Sequence, residues 1–118
     1  MEMKYFITKE FDSPDELGTG SKMDANLLKR LTDARYLAKT PFVINSGYRT
    51  EAHNKEVGGS PTSSHLKGVA VDISCHNSSQ REKIVRALLY VGFERIGIAK
   101  TFIHADTDKS KSPAIWLY

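Results

Sequence analysis

At residues 63–72 the chain reads SSHLKGVAVD, and this stretch carries much of the information about fold and chemistry. From Gly68 to Ser74 apolar side chains alternate with small or polar ones, a pattern that predicts a strand with one face toward a core. Asp72 lies on the polar face of that strand, and His65 lies in the loop before it. Because a carboxylate buried on a sheet face is costly without a partner, the sequence predicts a partner beside Asp72.

Two later runs, at residues 95–98 and 102–106, also read as strands. The short segment between them leaves room for a turn but not for a crossover, so these strands should pair antiparallel. If the strand at 102–106 lies beside the strand at 68–74, His104 projects from the same sheet face as Asp72.

His65, Asp72 and His104 would then meet at one point. Two imidazoles and one carboxylate are a ligand set that binds Zn²⁺ and leaves a fourth position for water. A water held in this way becomes a nucleophile near neutral pH. The residues by themselves therefore predict a zinc site and a small zinc hydrolase.

The rest of the chain mixes helices and strands without a regular alternation. The other predicted elements are an edge strand at residues 3–8, a helix at 22–38 capped by Ser21, a strand at 42–44, a helix at 50–57 capped by Thr50 and a helix at 80–91 capped by Ser79. This order predicts an α+β fold in which helices flank a small antiparallel sheet that carries the zinc site. Trp116 and Tyr118 are expected to close the core near the C-terminus, and the alternative is an aromatic contact patch on the surface.

Length and composition favour one globular unit, a single domain over residues 1–118. The net charge of +3 and the pI near 9.0 suit an anionic partner such as a bacterial cell wall. No basic block alternates with aromatic residues, so the sequence does not indicate nucleic-acid binding. The lone Cys75 is expected to be a small buried residue.

The sequence also carries expectations about location and assembly. No apolar run approaches the roughly 20 residues that span a bilayer, and the first residues lack the apolar region of a secretory signal. We therefore expect a monomer without a membrane span, made in the cytoplasm without a signal peptide.

The pattern Ser63-x-His65-x-x-Gly68-x-Ala70-x-Asp72, followed by His104, resembles the family of zinc D-alanyl-D-alanine carboxypeptidases and peptidoglycan endopeptidases. The segments 46–50, 54–59 and 113–116 are similar to the same family, so that the resemblance covers residues 42–116. It looks closest to the compact branch found in phage endolysins and bacterial wall hydrolases. It implies the fold shared by lysostaphin-type peptidases and the hedgehog signalling domain.

The resemblance also implies an activity and a set of roles. The substrate would be the stem peptide of peptidoglycan, reached after release of the protein from the cell, and the cofactor would be Zn²⁺ on His65, Asp72 and His104. Arg49 would stabilise negative charge on the substrate carbonyl. Ser63 would contact the substrate.

The general base is left open by the sequence. Many relatives carry a carboxylate three residues before the last zinc histidine, and this chain has Thr101 there. Other relatives carry a histidine five residues before it, and this chain has Ala99 there. Asp106 is the nearest carboxylate, and it would either act as the base or orient His104. Glu94 and Asp108 are more distant alternatives.

Two further questions are left open. The scissile bond would be that of a D,D-carboxypeptidase or that of an endopeptidase. Because the usual base is missing, the alternative to an enzyme is a zinc-stabilised module that binds peptidoglycan without cleaving it.

Overall fold

The structure, a computed structural model, describes residues 3–118, so the first two residues of the predicted domain lie outside it. Its strands are β1 (Ile44–Ser46), β2 (Ala70–Ser74), β3 (Arg95–Ile98), β4 (Phe102–Asp106) and β5 (Ala114–Leu117), and its α-helices are α1 (Ala25–Ala38), α2 (Glu51–Glu56) and α3 (Ser78–Tyr90). The strands form one sheet in the order β1-β2-β4-β3-β5. The predicted α+β class is confirmed, and β3 and β4 have the predicted bounds.

The sheet is mixed, whereas the sequence predicted an antiparallel one. β1, β2, β4 and β3 pair antiparallel, but β5 pairs parallel to β3. The chain reverses direction after β4 and then passes beyond β3 to its far edge. Because β5 runs opposite to β4, it must run in the direction of β3.

One face of the sheet packs against the helices. The core-facing strand side chains are fully buried and join one apolar cluster with α1 and α3, which contribute Leu27, Leu31, Ile84 and Leu88. The strands supply Val71, Ile73, Ile96, Ile103 and Ala105. Burial of each large aliphatic side chain contributes about 1.5–3 kcal/mol. The predicted burial of Cys75 is confirmed.

Alternation along the strands places a different set of residues on the opposite face. The register aligns Ser46 with Asp72, Asp72 with His104, His104 with Gly97 and Gly97 with Trp116. This row crosses all five strands at one level, and its polar members share the face away from the helices. The predicted strand at 42–44 is displaced to β1, which brings Ser46 into the row.

The helices begin where side chains cap them. Thr50 caps α2 as predicted, but α1 is capped by Asp24 and α3 by Asn77. The predicted caps Ser21 and Ser79 were wrong because a 3₁₀ turn occupies Thr19–Lys22 and α3 starts before Ser79. Within residues 3–118 no helix combines the length and the apolar character that a membrane crossing requires.

The predicted edge strand at residues 3–8 was wrong. Thr8–Phe11 forms a 3₁₀ turn, and Phe6 and Phe11 bury their rings in the core. A Cβ on Gly47 would lie 2.8 Å from the Cα of Phe11, so the absence of a side chain lets this segment pack directly on the chain after β1. Burial of two aromatic rings outweighs the weak alternation of the sequence.

The prediction for the C-terminal aromatic residues was also wrong. Trp116 is half-buried and Tyr118 is 67% exposed, so neither closes the core. The indole of Trp116 lies on the face that carries His104, with ring centroids 5.4 Å apart.

Candidate metal centre

His65 lies on a short 3₁₀ turn, Ser64–Lys67, directly before β2. Ser63 caps this turn, since its Oγ accepts a hydrogen bond from the backbone amide of His65 at 3.3 Å. Nδ1 of His65 lies 2.8 Å from the carbonyl oxygen of Gly47. Because a carbonyl only accepts, Nδ1 carries the proton, and the lone pair of Nε2 is left for the site.

Asp72 and His104 face each other across β2 and β4. Oδ1 of Asp72 lies 3.0 Å from Nδ1 of His104 and 3.4 Å from Nε2 of His65. One donor atom from each residue lies within 4.8 Å of the others, and all three residues are buried. The structure thus brings the three predicted ligands into one cluster that could hold a metal ion.

Asp106 lies behind His104 rather than across the cluster from it. Its Oδ2 accepts a hydrogen bond from Nε2 of His104 at 2.7 Å, and its Oδ1 accepts from Nε of Arg95 at 2.9 Å and from the amide of Asp108 at 3.1 Å. Asp106 is 1% exposed. Both of its oxygens are engaged, which favours a positioning role over that of a base.

The ionisable groups of the cluster shift one another's pKa values. Burial by itself raises the pKa of Asp72, but the hydrogen bond from His104 opposes burial, and the pKa of Asp72 lies well below its usual range. Burial likewise would lower the pKa of His104, but hydrogen bonds to Asp106 and Asp72 raise it above its ordinary value. A metal ion that takes Nδ1 of His104 must displace the proton held there, so its binding should weaken in acid.

Arg49 borders the cluster on the β1 side. Its Nε donates to Oγ of Ser46 at 3.1 Å, its Nη1 donates to Oδ1 of Asn54 at 3.3 Å, and its Nη2 lies 3.4 Å from Oδ2 of Asp72. Asn54 is itself buried and donates to the carbonyl of Ser60 at 2.9 Å. This framework holds a positive charge beside the cluster at a fixed orientation.

The distant candidates for the base are placed elsewhere. Asp108 accepts from Oγ of Ser64 at 2.8 Å and from Nζ of Lys67 at 3.3 Å, which joins the turn of His65 to the chain after β4. Hydrogen bonds from Ser110 and Ser64 overcome the effect of burial and lower the pKa of Asp108. Glu94 lines a separate depression on the surface.

A cavity of about 340 Å³ opens beside the cluster. Among residues 3–118 the carboxylates that line it are Asp72 and Asp106, both already engaged. The remaining wall includes Arg49, Ser63, Phe102, Trp116 and Tyr118. The role of Ser63 toward a substrate stays a prediction; the contact observed is its cap on the turn of His65.

Sequence reasoning missed the role of Arg95 and the position of Trp116 beside it. Arg95 donates to Asp106, and its guanidinium lies 4.9 Å from the ring centroid of Trp116. The alternation of β3 placed Arg95 and Gly97 on one face, a signal that sequence reasoning could have used. The parallel pairing of β5 with β3 brings Trp116 next to Arg95 and Gly97, and no nearby sequence pattern indicates that pairing.

A comparison with family models matches residues 4–106 to the family described as Peptidase M15. The matched range contains the three clustered residues, together with Arg49 and Asp106, and it ends before β5. No curated protein matches the chain.

Proposed function

Since the chain belongs to the peptidase M15 family, we propose that it is a zinc-dependent peptidase that hydrolyses an amide bond in the peptide part of bacterial peptidoglycan. Its role would be lysis or remodelling of the cell wall, as in phage endolysins. The observation that carries this proposal is the buried cluster of His65, Asp72 and His104 beside an open cavity.

The chemistry of the donor set fits zinc. Nε2 of His65, an oxygen of Asp72 and Nδ1 of His104 would be the ligand atoms, and zinc accepts nitrogen and oxygen ligands in this number at catalytic sites. The opposite nitrogen of each imidazole is held, by the carbonyl of Gly47 and by Asp106. Such partners fix the ring orientation and strengthen the ligands. When bound, zinc polarises the scissile carbonyl and lowers the pKa of water.

Arg49 supplies the second positive charge of the site. Its guanidinium is 16% exposed and bonds Ser46 and Asn54, so little reorganisation is needed when charge develops on the substrate. Fixed donors of this kind stabilise an oxyanion more than water does. We infer that Arg49 binds the carbonyl oxygen as the substrate becomes tetrahedral.

The substrate class is supported by the family and by charge. The chain carries a net charge of +3, and the residues that line the cavity include Arg49, Arg95 and Lys111. Peptidoglycan stem peptides carry free carboxylates, which a basic surface attracts.

The experiment is digestion of purified peptidoglycan by the full chain, with zinc and with a chelator, followed by mass spectrometry of the released muropeptides. We expect cleavage at one type of amide bond, its loss on chelation and its return with added zinc. The mass of the product identifies the bond as that of a D,D-carboxypeptidase or of an endopeptidase. Binding to peptidoglycan without cleavage would instead show a zinc-stabilised binding module.

Replacing Asp106 with asparagine is expected to weaken zinc affinity about 10–100-fold, because it removes the negative charge that holds Nε2 of His104. Competition with a chromogenic chelator measures that affinity. Added zinc should restore most of the activity.

The matched control is Asp33→Asn, a change at an exposed carboxylate on α1 that should leave affinity and activity unchanged. An Asp106→Asn protein that keeps its zinc but loses activity about 10²–10⁴-fold would make Asp106 the general base instead.

A further inference from the structure

The cavity has an aromatic wall that β5 contributes. Trp116 lies opposite Gly97, which lies opposite His104, so the three residues form one line across the sheet. A Cβ on Gly97 would lie 2.7 Å from Nε1 of Trp116, so glycine lets the indole lie across β3 toward His104. The guanidinium of Arg95 packs on the same ring.

Tyr118 continues this wall to the mouth of the cavity. Its backbone amide donates to the carbonyl of Ile98 at 3.1 Å, which extends the pairing of β5 with β3. Its ring packs on Phe102, with centroids 5.1 Å apart, and lies 6.3 Å from the ring of Trp116. The phenol is therefore held at the cavity by its backbone and by its ring, while the side chain stays largely exposed.

The phenol of Tyr118 has a proton available for a ligand. The polar group of the neighbouring Trp116 ring is an indole N–H, which can only donate and so does not take the phenol proton. Burial raises the pKa of Tyr118, and the charge of Asp72 adds to that effect, so the phenol stays protonated at neutral pH.

Three other donors around the cavity are committed to protein partners. Oγ of Ser64 donates to Asp108 at 2.8 Å, and Nζ of Lys111 donates to the carbonyl of Thr62 at 2.8 Å. Arg95 donates to Asp106 at 2.9 Å. Unlike these three groups, the phenol of Tyr118, which also lines the cavity, donates to no acceptor among residues 3–118.

The sheet order places Arg49 and Tyr118 on either side of the metal cluster. Arg49 follows β1 and Tyr118 follows β5, and these are the two outer strands. Asp72 and His104 lie between them on β2 and β4. Arg49 and Tyr118 both line the cavity beside the cluster, so a guanidinium and a phenol border it from the two outer strands.

We propose that Tyr118 is a catalytic residue whose phenol donates a hydrogen bond to the substrate as its carbonyl becomes tetrahedral, opposite the guanidinium of Arg49. This inference rests on the proposed peptidase function. No bond to Tyr118 forms or breaks, and its proton stays on the phenol oxygen. A neutral donor at the cavity mouth contributes less than a buried charged one, so its effect should be smaller than that of Arg49.

The test is Tyr118→Phe, which removes one oxygen and keeps the ring that packs on Phe102. With the zinc-loaded full chain and peptidoglycan fragments as substrate, we expect kcat to fall about 10–100-fold while KM stays within about twofold. Zinc content and Tm should not change. Tyr90→Phe is the matched control, because Tyr90 is 80% exposed on α3 and should have no effect.

A binding measurement separates this role from a structural one. A phosphinate dipeptide mimics the tetrahedral state, and calorimetry should show its affinity for Tyr118→Phe weakened by the same factor as kcat/KM. The affinity of a dipeptide product should not change.

Each contrary outcome has its own meaning. Full activity of Tyr118→Phe, or a change confined to KM, overturns the proposal. So does a loss of zinc or a lower Tm, since the effect would then be structural. If the zinc-loaded wild type cleaves no peptidoglycan while the variants bind it equally, the proposed function fails first, and the role of Tyr118 fails with it.

Discussion

Replacing His104 with alanine is expected to abolish both zinc binding and hydrolysis. The change removes the Nδ1 atom that lies 3.0 Å from Asp72 and leaves Asp106 buried without its imidazole partner. His65→Ala should have the same effect, since it removes Nε2 from the opposite side of the cluster. Loss of the Lewis acid costs several kcal/mol of transition-state stabilisation, or roughly 10³-fold or more in rate.

Elemental analysis of the purified variants, together with muropeptide release, measures both effects. The wild type should hold about one zinc per chain. His76→Ala is the matched control, because this histidine is exposed after β2 and its Nε2 contacts Ser74 at 2.9 Å. Full zinc content in both His65→Ala and His104→Ala would show that the metal binds elsewhere.

Replacing Arg49 with alanine is expected to cost about 2–4 kcal/mol of transition-state stabilisation, because the charge it meets appears only in the transition state. In rate this is roughly 30–1000-fold in kcat. The Nη2 contact to Asp72, at 3.4 Å, is the longest of the three that hold the side chain, so zinc should remain bound.

Steady-state kinetics, with zinc content and thermal unfolding on the same samples, tests this expectation. Arg86→Ala serves as the control, since Arg86 is an exposed residue of α3 paired with Glu82. Arg49→Lys should recover little, because one ammonium cannot reach Ser46, Asn54 and Asp72 together. Normal hydrolysis by Arg49→Ala, or an unfolded protein, would refute the assigned role.

Features encoded in short segments could be predicted from the sequence. β3 and β4 have their predicted bounds because alternation and a tight turn are local patterns. Thr50 caps α2 through a local contact, since its side chain accepts from the amide of His53, three residues on. The family and the α+β class are confirmed, while the roles of His65, Asp72 and His104 stay predictions that the variants above test.

The N-terminal segment shows how packing overrides a local pattern. Apolar and polar side chains alternate weakly along residues 3–8. Burial of the Phe6 and Phe11 rings in the core nevertheless stabilises the fold more than an edge strand at this position would. Their position depends on Gly47, which lies far along the chain and leaves space for Phe11. No window of sequence around residues 3–8 contains that information.

By itself, the sequence determined the α+β class and the strands on either side of the tight turn, because each depends on spacing within a short run. It also singled out three residues that could share a metal, because their side-chain types are those of zinc ligands. Only the tertiary structure decided that Asp106 meets His104 and Arg95, and that β5 lies parallel to β3 with Trp116 over Gly97. Those contacts join strands whose order depends on packing of the whole sheet. A residue such as Tyr118 therefore acquires its place at the cavity from the fold, since neither its type nor its neighbours in sequence specify that place.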